Sequence, residues 1–85
     1  MYKVLLELRA EKDLGALELS LKERIIERLL LLKNNPRPVN AKKLVGSKNA
    51  WRLRVGDWRI IYEIKDKSKE IKIYRIKHRS RAYQF

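Results

Sequence analysis

The sequence contains no cysteine, which excludes a disulfide framework, a thiolate zinc site and a cysteine nucleophile. Glycine and proline are also scarce, at 3 and 2 of 85 residues, so the few that occur mark turns and loops. No apolar run approaches the roughly 18 residues that span a membrane, and the N-terminus lacks a signal-peptide pattern. We therefore expect one small cytoplasmic domain over residues 1–85, not bound to a membrane and held together by packing alone.

Negative charge is the second scarcity. The chain has 10 acidic residues against 22 Lys and Arg, a formal net charge of +12. Residues 1–34 hold 7 basic and 6 acidic residues, whereas residues 35–85 hold 15 and 4 and therefore carry +11. Such an asymmetry predicts a polyanionic partner, either a nucleic acid or an acidic protein.

A β-hairpin is the clearest local signal. In the stretch 50–65, two runs of β-branched and aromatic residues flank the dipeptide Gly56-Asp57, which suits a two-residue turn. Counting outward from this turn pairs Arg54 with Arg59. One face of the hairpin then carries three cations around Ile61: Arg52, Arg54 and Arg59. The other face is a core surface: Trp51, Leu53, Val55, Trp58, Ile60, Tyr62 and Ile64.

The arginine face has two interpretations. Like charges directly opposite each other destabilise a sheet by about 0.2–1 kcal/mol per pair, so Arg54 against Arg59 indicates a face that meets a polyanion. The alternative is that these are long solvated side chains on the wet side of a half-buried sheet. The basic excess in this part of the chain favours the polyanion.

The first half of the chain reads as a strand and two helices. Alternation predicts an edge strand over Tyr2–Arg9, and Ala10–Leu19 is expected to form a short helix. A capping box of Ser20 and Glu23 predicts the start of the second helix, which the prolines of the segment 34–38 end. Its expected buried stripe is Leu21, Ile25, Leu29 and Leu32.

The rest of the chain completes the fold. Leu30 and Leu31 widen the apolar side of the second helix, and both are expected in the core, with exposure to a partner as the alternative. Val39–Asn49 reads as a loop and Glu70–Lys77 as the last strand. The order β-α-α-β-β-β predicts an α+β fold, a four-stranded antiparallel sheet with two N-terminal helices on one face and the arginine face open.

Several motifs now resemble a known family. Lys43-Leu44 and Gly46, the hairpin 51–62, His78-Arg79 and Tyr83 are similar to the RelE/ParE superfamily of type II toxin–antitoxin toxins. Within it, the chain resembles RelE-like mRNA interferases, which cleave mRNA in the ribosomal A site and are inhibited by a small antitoxin. The resemblance covers nearly the whole chain and implies a RelE-like fold.

The resemblance implies a reaction and its residues. The 2′-OH of a nucleotide attacks the adjacent phosphate, leaving a cyclic phosphate and a 5′-OH, with no metal and no cofactor. The implied partners are mRNA, the ribosome and an acidic RelB-like antitoxin. Positions that match catalytic residues of the family are Arg52, Arg54, Arg59, Arg79 and Tyr83. Further basic residues are expected to bind RNA: Lys42, Lys43, Lys48, Arg75, Lys77 and Arg81.

One departure from the family concerns the general base. Strong nucleases of the family often carry lysine at the positions of Arg52 and Arg54, and arginine stays protonated near neutral pH. The remaining acid/base candidates are His78, whose alternative is a plain strand-end residue, and Tyr83. Glu63 is expected to form a structural ion pair.

Two other functions stay open. A ParE-like toxin would inhibit DNA gyrase by protein binding and would lack nuclease residues, so Arg59, Arg79 and Tyr83 argue against it. A catalytically inactive relative would only bind RNA or its antitoxin. Cleavage of a defined mRNA on programmed ribosomes separates these functions.

Overall fold

The computed structural model describes residues 1–81. It contains two helices and five strands: β1 (Lys3–Leu6), α1 (Leu8–Gly15), α2 (Leu19–Leu32), β2 (Ala41–Lys43), β3 (Ala50–Val55), β4 (Trp58–Lys65) and β5 (Glu70–His78). A short 3-10 turn over Arg79–Arg81 follows β5. The strands form one sheet in the order β1-β5-β4-β3-β2, and residues of both helices pack into its core. The predicted α+β fold is confirmed.

The sheet differs from the prediction in two respects. It has five strands, because Ala41–Lys43 pairs with β3 inside the segment expected to be a loop. It is mixed, because β1 lies at the edge beside β5 and runs parallel to it. Neither feature has a local signal: β2 is three residues long, and the neighbour of β1 lies more than sixty residues away in sequence.

The central hairpin has the predicted turn and register. Gly56 and Asp57 form the turn, and Arg54 pairs with Arg59. Gly56 has φ 59°, a left-handed conformation that glycine adopts without steric cost. Residues expected on the core face, such as Leu53 and Ile60, are buried.

A β-bulge in β5 explains its irregular apolar pattern. Tyr62 pairs with Ile73 and Ile61 pairs with Arg75, so Tyr74 is an extra residue on the β5 side. The buried isoleucines therefore follow the spacing 71, 73 and 76 instead of a strict alternation.

The helices begin earlier than predicted. The helix α1 starts at Leu8, and α2 starts at Leu19 after Glu18. The predicted capping box is wrong, since the Ser20 hydroxyl donates to the Glu18 carboxylate at 2.6 Å instead of capping a backbone N–H. Within residues 1–81, neither helix is long and apolar enough to cross a membrane.

The helix α2 supplies the centre of the core. Ile25, Leu29 and Leu32 are buried as predicted, and Leu21 packs against them. The expectation that Leu30 and Leu31 lie in the core is wrong, because each is 54% exposed. The row formed by Leu21, Ile25, Leu29 and Leu32 is the side of α2 that packs on the core, so Leu30 and Leu31 face solvent.

Candidate functional site

Four arginines converge at the turn end of the β3-β4 hairpin, and we call them the arginine cluster: Arg52, Arg54, Arg59 and Arg79. The hairpin register places the first three on one face of the sheet. The fourth is held there by its backbone, because the Arg79 N–H donates to the Asp57 carbonyl at 2.7 Å. The end of β5 is thereby fixed to the hairpin turn.

Arg59 lies at the centre of the cluster. It is only 8% exposed, and its Nη1 donates to the carbonyls of Gly56 and Trp58, both at 3.0 Å. Burial lowers the pKa of Arg59, and the charges of Arg54, Arg52 and Arg79 lower it further. The carboxylate of Asp57 opposes this effect more weakly. Positive charge is therefore concentrated in a partly desolvated site, where it attracts an anion more strongly than it would in bulk water.

Two lysines extend the basic face. Lys42 pairs with Arg52 across β2 and β3, and Lys77 pairs with Arg59 across β4 and β5. Cross-strand partners share a face, so both lysines lie on the side of the arginine cluster. Lys77 is buried, whereas Lys42 is exposed at the sheet edge.

Other predicted RNA-binding residues lie elsewhere. Lys43 pairs with Trp51, so it lies on the core side of the sheet, and Lys48 is exposed in the β2-β3 connection. Arg75 lies on the same face as Ile61 but forms an ion pair with Asp13, in which Nε and Oδ2 are 2.8 Å apart. Tyr83 and the side chain of Arg81 lie outside the described residues.

His78 is not part of the arginine cluster. It pairs with Trp58, in a row that belongs to the core side of the hairpin, and the two rings meet edge to face with centroids 5.4 Å apart. Its Nδ1 lies 3.1 Å from the Ser80 hydroxyl. The structure therefore places this acid/base candidate on the opposite side of the sheet from Arg54 and Arg59.

Asp13 connects α1 to β5, although no local sequence pattern singles it out. Its carboxylate accepts hydrogen bonds from Arg75 Nε at 2.8 Å, Arg75 Nη2 at 3.2 Å and the Ile76 backbone N–H at 2.9 Å. Burial favours the neutral acid, but these hydrogen bonds outweigh it and hold the pKa of Asp13 below its ordinary value. The helix α1 is thus attached to the part of β5 that leads to Arg79.

Glu63 forms a hydrogen bond where an ion pair was expected. Its Oε1 accepts from the Tyr74 hydroxyl at 3.0 Å. Among residues 1–81, no group of three or more His, Asp or Glu side chains lies close enough together to hold a metal ion.

Comparison with known proteins identifies the family. Residues 4–83 match the family model described as the ParE toxin of the type II toxin–antitoxin system parDE. The chain belongs to the RelE/ParE superfamily. This RelE/ParE chain is also 34% identical to a chain of the archaeal RelE–RelB complex from Pyrococcus horikoshii OT3, with a TM-score of 0.84. The match covers 95% of this chain and 98% of the other.

Other solved structures share the RelE/ParE fold. The RelBE2 toxin–antitoxin complex from Mycobacterium tuberculosis contains a chain that is 26% identical, with a TM-score of 0.81 and coverage of 92% of this chain and 98% of that one. The isolated E. coli RelE toxin is 19% identical, with a TM-score of 0.83 and coverage of 98% and 89%. A comparison with curated protein sequences gives no match.

Proposed function

We propose that this toxin is a ribosome-dependent endoribonuclease that cleaves mRNA in the A site. The observation that carries the proposal is the arginine cluster. In it, the positive charges of three guanidinium groups lower the pKa of a fourth, Arg59, which is almost excluded from water. Packing these like charges together lowers stability. A transition state that gains negative charge on phosphate supplies the anion that such a cluster attracts.

The reaction joins a ribose oxygen to the neighbouring phosphate. The 2′-oxygen attacks the phosphorus in line with the departing 5′-oxygen, forming a cyclic phosphate and freeing a 5′-OH. Arg52 and Arg54 hold the phosphate, and Arg59 and Arg79 stabilise its added charge. No guanidinium takes the 2′-OH proton, because arginine stays protonated at neutral pH.

The remaining roles follow from the resemblance. Tyr83 orients or stacks on the substrate, and stacking of this kind is worth about 1–3 kcal/mol per base. His78 keeps its proposed acid/base role only if RNA reaches both sides of the end of β5. Residues 1–85 then act as one toxin domain, and because translating ribosomes lie in the cytoplasm, the toxin acts there.

The proposed protein partner is an acidic, RelB-like antitoxin. The similar chains from Pyrococcus horikoshii and Mycobacterium tuberculosis are described in complexes with RelB-type partners. A net charge of +12 favours an acidic partner through complementary electrostatics. The apolar side chains of Leu30 and Leu31, each 54% exposed on α2, offer it a surface to cover.

A gyrase-inhibiting toxin is the second candidate. Its support is the description of the matching family model, a ParE toxin. A catalytically inactive relative is the third, and its support is the arginine that stands at positions 52 and 54, where strong nucleases often carry lysine.

The test uses purified toxin and ribosomes programmed with one defined mRNA. The proposal predicts cleavage within the A-site codon and a product that ends in a cyclic phosphate. A parallel DNA supercoiling assay with gyrase tests the second candidate. Inhibition of gyrase without mRNA cleavage would replace the proposal by a ParE-like function, and absence of both activities would indicate the inactive relative.

A further inference from the structure

The turn that follows β5 carries Arg79 at an exposed position. Its charge acts on Arg59, so its guanidinium lies on the side of the arginine cluster, whereas His78 faces the core side with its cross-strand partner Trp58. Arg59 is held by burial, but Arg79 is not. The direction in which the Arg79 side chain leaves the backbone therefore depends on the dihedral angles at its Cα.

Both peptide groups that flank the Cα of Arg79 are hydrogen-bonded. The Arg79 N–H donates to the Asp57 carbonyl at 2.7 Å. The Ser80 N–H donates to Nδ1 of His78 in a longer hydrogen bond of 3.4 Å. Because a peptide group is planar and rigid, anchoring the group on each side restricts both φ and ψ of Arg79.

The acceptor of the second hydrogen bond is itself held in place. The ring of His78 meets the Trp58 ring edge to face, with an interplanar angle of 86°. Trp58 packs against the hydrophobic core. Aromatic pairs prefer this arrangement, so the imidazole presents Nδ1 to the turn from a defined position.

The contacts of Nδ1 also indicate the tautomer of His78. A backbone N–H can only donate, so the approach of the Ser80 N–H requires the lone pair on Nδ1 and places the proton of the neutral ring on Nε2. The Ser80 hydroxyl lies 3.1 Å from the same nitrogen and can rotate to donate to it. The Nδ1 lone pair is therefore used within the turn.

We infer that His78 is a positioning residue, which directs Arg79 into the arginine cluster through the Ser80 N–H and transfers no proton. The consequence for catalysis rests on the proposed function. The ring lies on the opposite side of the sheet from Arg54 and Arg59, which agrees with a role that acts through Arg79. Asparagine side chains accept the same hydrogen bond from the N–H two residues further along the chain. Asparagine can therefore replace the acceptor, although its amide does not titrate.

The test compares His78→Phe with His78→Asn in single-turnover cleavage on programmed ribosomes, with thermal unfolding to check that both fold. Phenylalanine keeps a ring against Trp58 but offers no acceptor, so we expect the maximal rate to fall at least about tenfold. The toxin concentration that gives half of this rate should change little, because Arg79 acts on the transition state. Asparagine should restore most of the lost rate.

Two outcomes of the cleavage assay would overturn the inference. A wild-type rate for His78→Phe would show that the acceptor does not matter. Equal losses for His78→Phe and His78→Asn would show that an acceptor at this position is not sufficient and would favour proton transfer by the imidazole.

NMR of the free protein separates the inference from the proposed function. We expect the neutral His78 ring to carry its proton on Nε2, and hydrogen exchange of the Arg79 N–H to be faster in His78→Phe than in the wild type or His78→Asn. This result without mRNA cleavage would support the positioning of Arg79 and overturn only the proposed function. A proton on Nδ1, or unchanged exchange in His78→Phe, would overturn the inference whether or not mRNA is cleaved.

Discussion

Arg59 shows how a single residue can serve both fold and site. Its guanidinium donates hydrogen bonds to two carbonyls around the hairpin turn. The charges of three other arginines lower its pKa. The face on which it lies was predictable. Side chains alternate between the two faces of a strand, and the position of the turn determines which residues share a face. Its burial was not predictable, because burial depends on neighbours from β5 and the segment after it.

Asp13 illustrates what local patterns do not reveal. Its three hydrogen bonds join α1 to residues more than sixty positions away, and nothing in the helix pattern distinguishes it from other exposed acids. Because the Asp13 side chain is 18% exposed, these bonds are only partly screened by solvent. Asp13 therefore contributes to stability as well as to the position of β5.

At the residue scale, we predict that Asp13→Asn lowers the free energy of unfolding at pH 7 by about 1.5–3 kcal/mol. The pKa of Asp13 in the folded state lies below the ordinary value of about 3.9, so its stabilisation is complete above that pH. It disappears as the pH falls through the folded-state pKa. Urea unfolding between pH 2 and pH 7 should show the two proteins converging at the acid end.

The control for this prediction is Asp66→Asn. Asp66 pairs with Arg37 at 2.8 Å, but these side chains are 56% and 43% exposed, so solvent screens the pair and its loss should cost less. A larger loss for Asp66→Asn than for Asp13→Asn would contradict the role given to Asp13.

At the scale of elements, the hairpin was predictable and its neighbours were not. Two β-branched runs around Gly56-Asp57 specify both the turn and the register. The strand β2 has the sequence Ala-Lys-Lys, which carries no alternation, and it forms only because β3 offers an edge. The bulge in β5 likewise arises from pairing with β4, so a strict period of two could not locate it.

The turn gives the element-scale prediction. At φ 59°, Gly56→Ala places a Cβ in the left-handed region, which costs about 1–2 kcal/mol. We expect a corresponding loss of stability in thermal or urea unfolding. We also expect slower RNA cleavage, because the turn holds Arg79 through the Asp57 carbonyl.

Gly15→Ala is the matched control. Gly15 ends α1, and an added Cβ there meets no atom within 4 Å. Alanine favours helix over glycine by up to about 1 kcal/mol, so this variant should be as stable as the wild type or more stable. Equal destabilisation by the two substitutions would contradict the special role of the turn at Gly56.

At the scale of the whole molecule, charge and apolar surface are segregated. The second half of the sequence carries nearly all the excess positive charge, and the sheet gathers part of it on one face. The exposed leucines lie on α2, a helix that packs on the core side of the sheet. The composition predicted a polyanionic partner, but only the fold shows that the basic face and the exposed leucines are separate surfaces.

The antitoxin prediction belongs to this scale. Replacing Leu30 and Leu31 together by serine should weaken binding of the proposed antitoxin by about tenfold or more, because its apolar contacts with two leucine side chains would be lost. Isothermal titration calorimetry of the purified pair measures the change. Because each side chain is already 54% exposed, the double variant should remain folded, and urea unfolding checks this.

Leu19→Ser is its control on the same helix. Leu19 is 69% exposed near the start of α2, away from Leu30 and Leu31. It should retain wild-type affinity for the antitoxin. Unchanged affinity in the double variant would place the antitoxin on another surface.

The most direct measurement of the central claim is the single-turnover cleavage rate on programmed ribosomes for Arg54→Ala, Arg79→Ala and the control Arg28→Ala. Arg28 is exposed on α2, outside the cluster. The arginine cluster predicts a loss of about 100-fold or more for Arg54→Ala and Arg79→Ala, as removal of one charge-stabilising donor typically produces, and a wild-type rate for Arg28→Ala. Wild-type rates for both cluster variants would contradict the account.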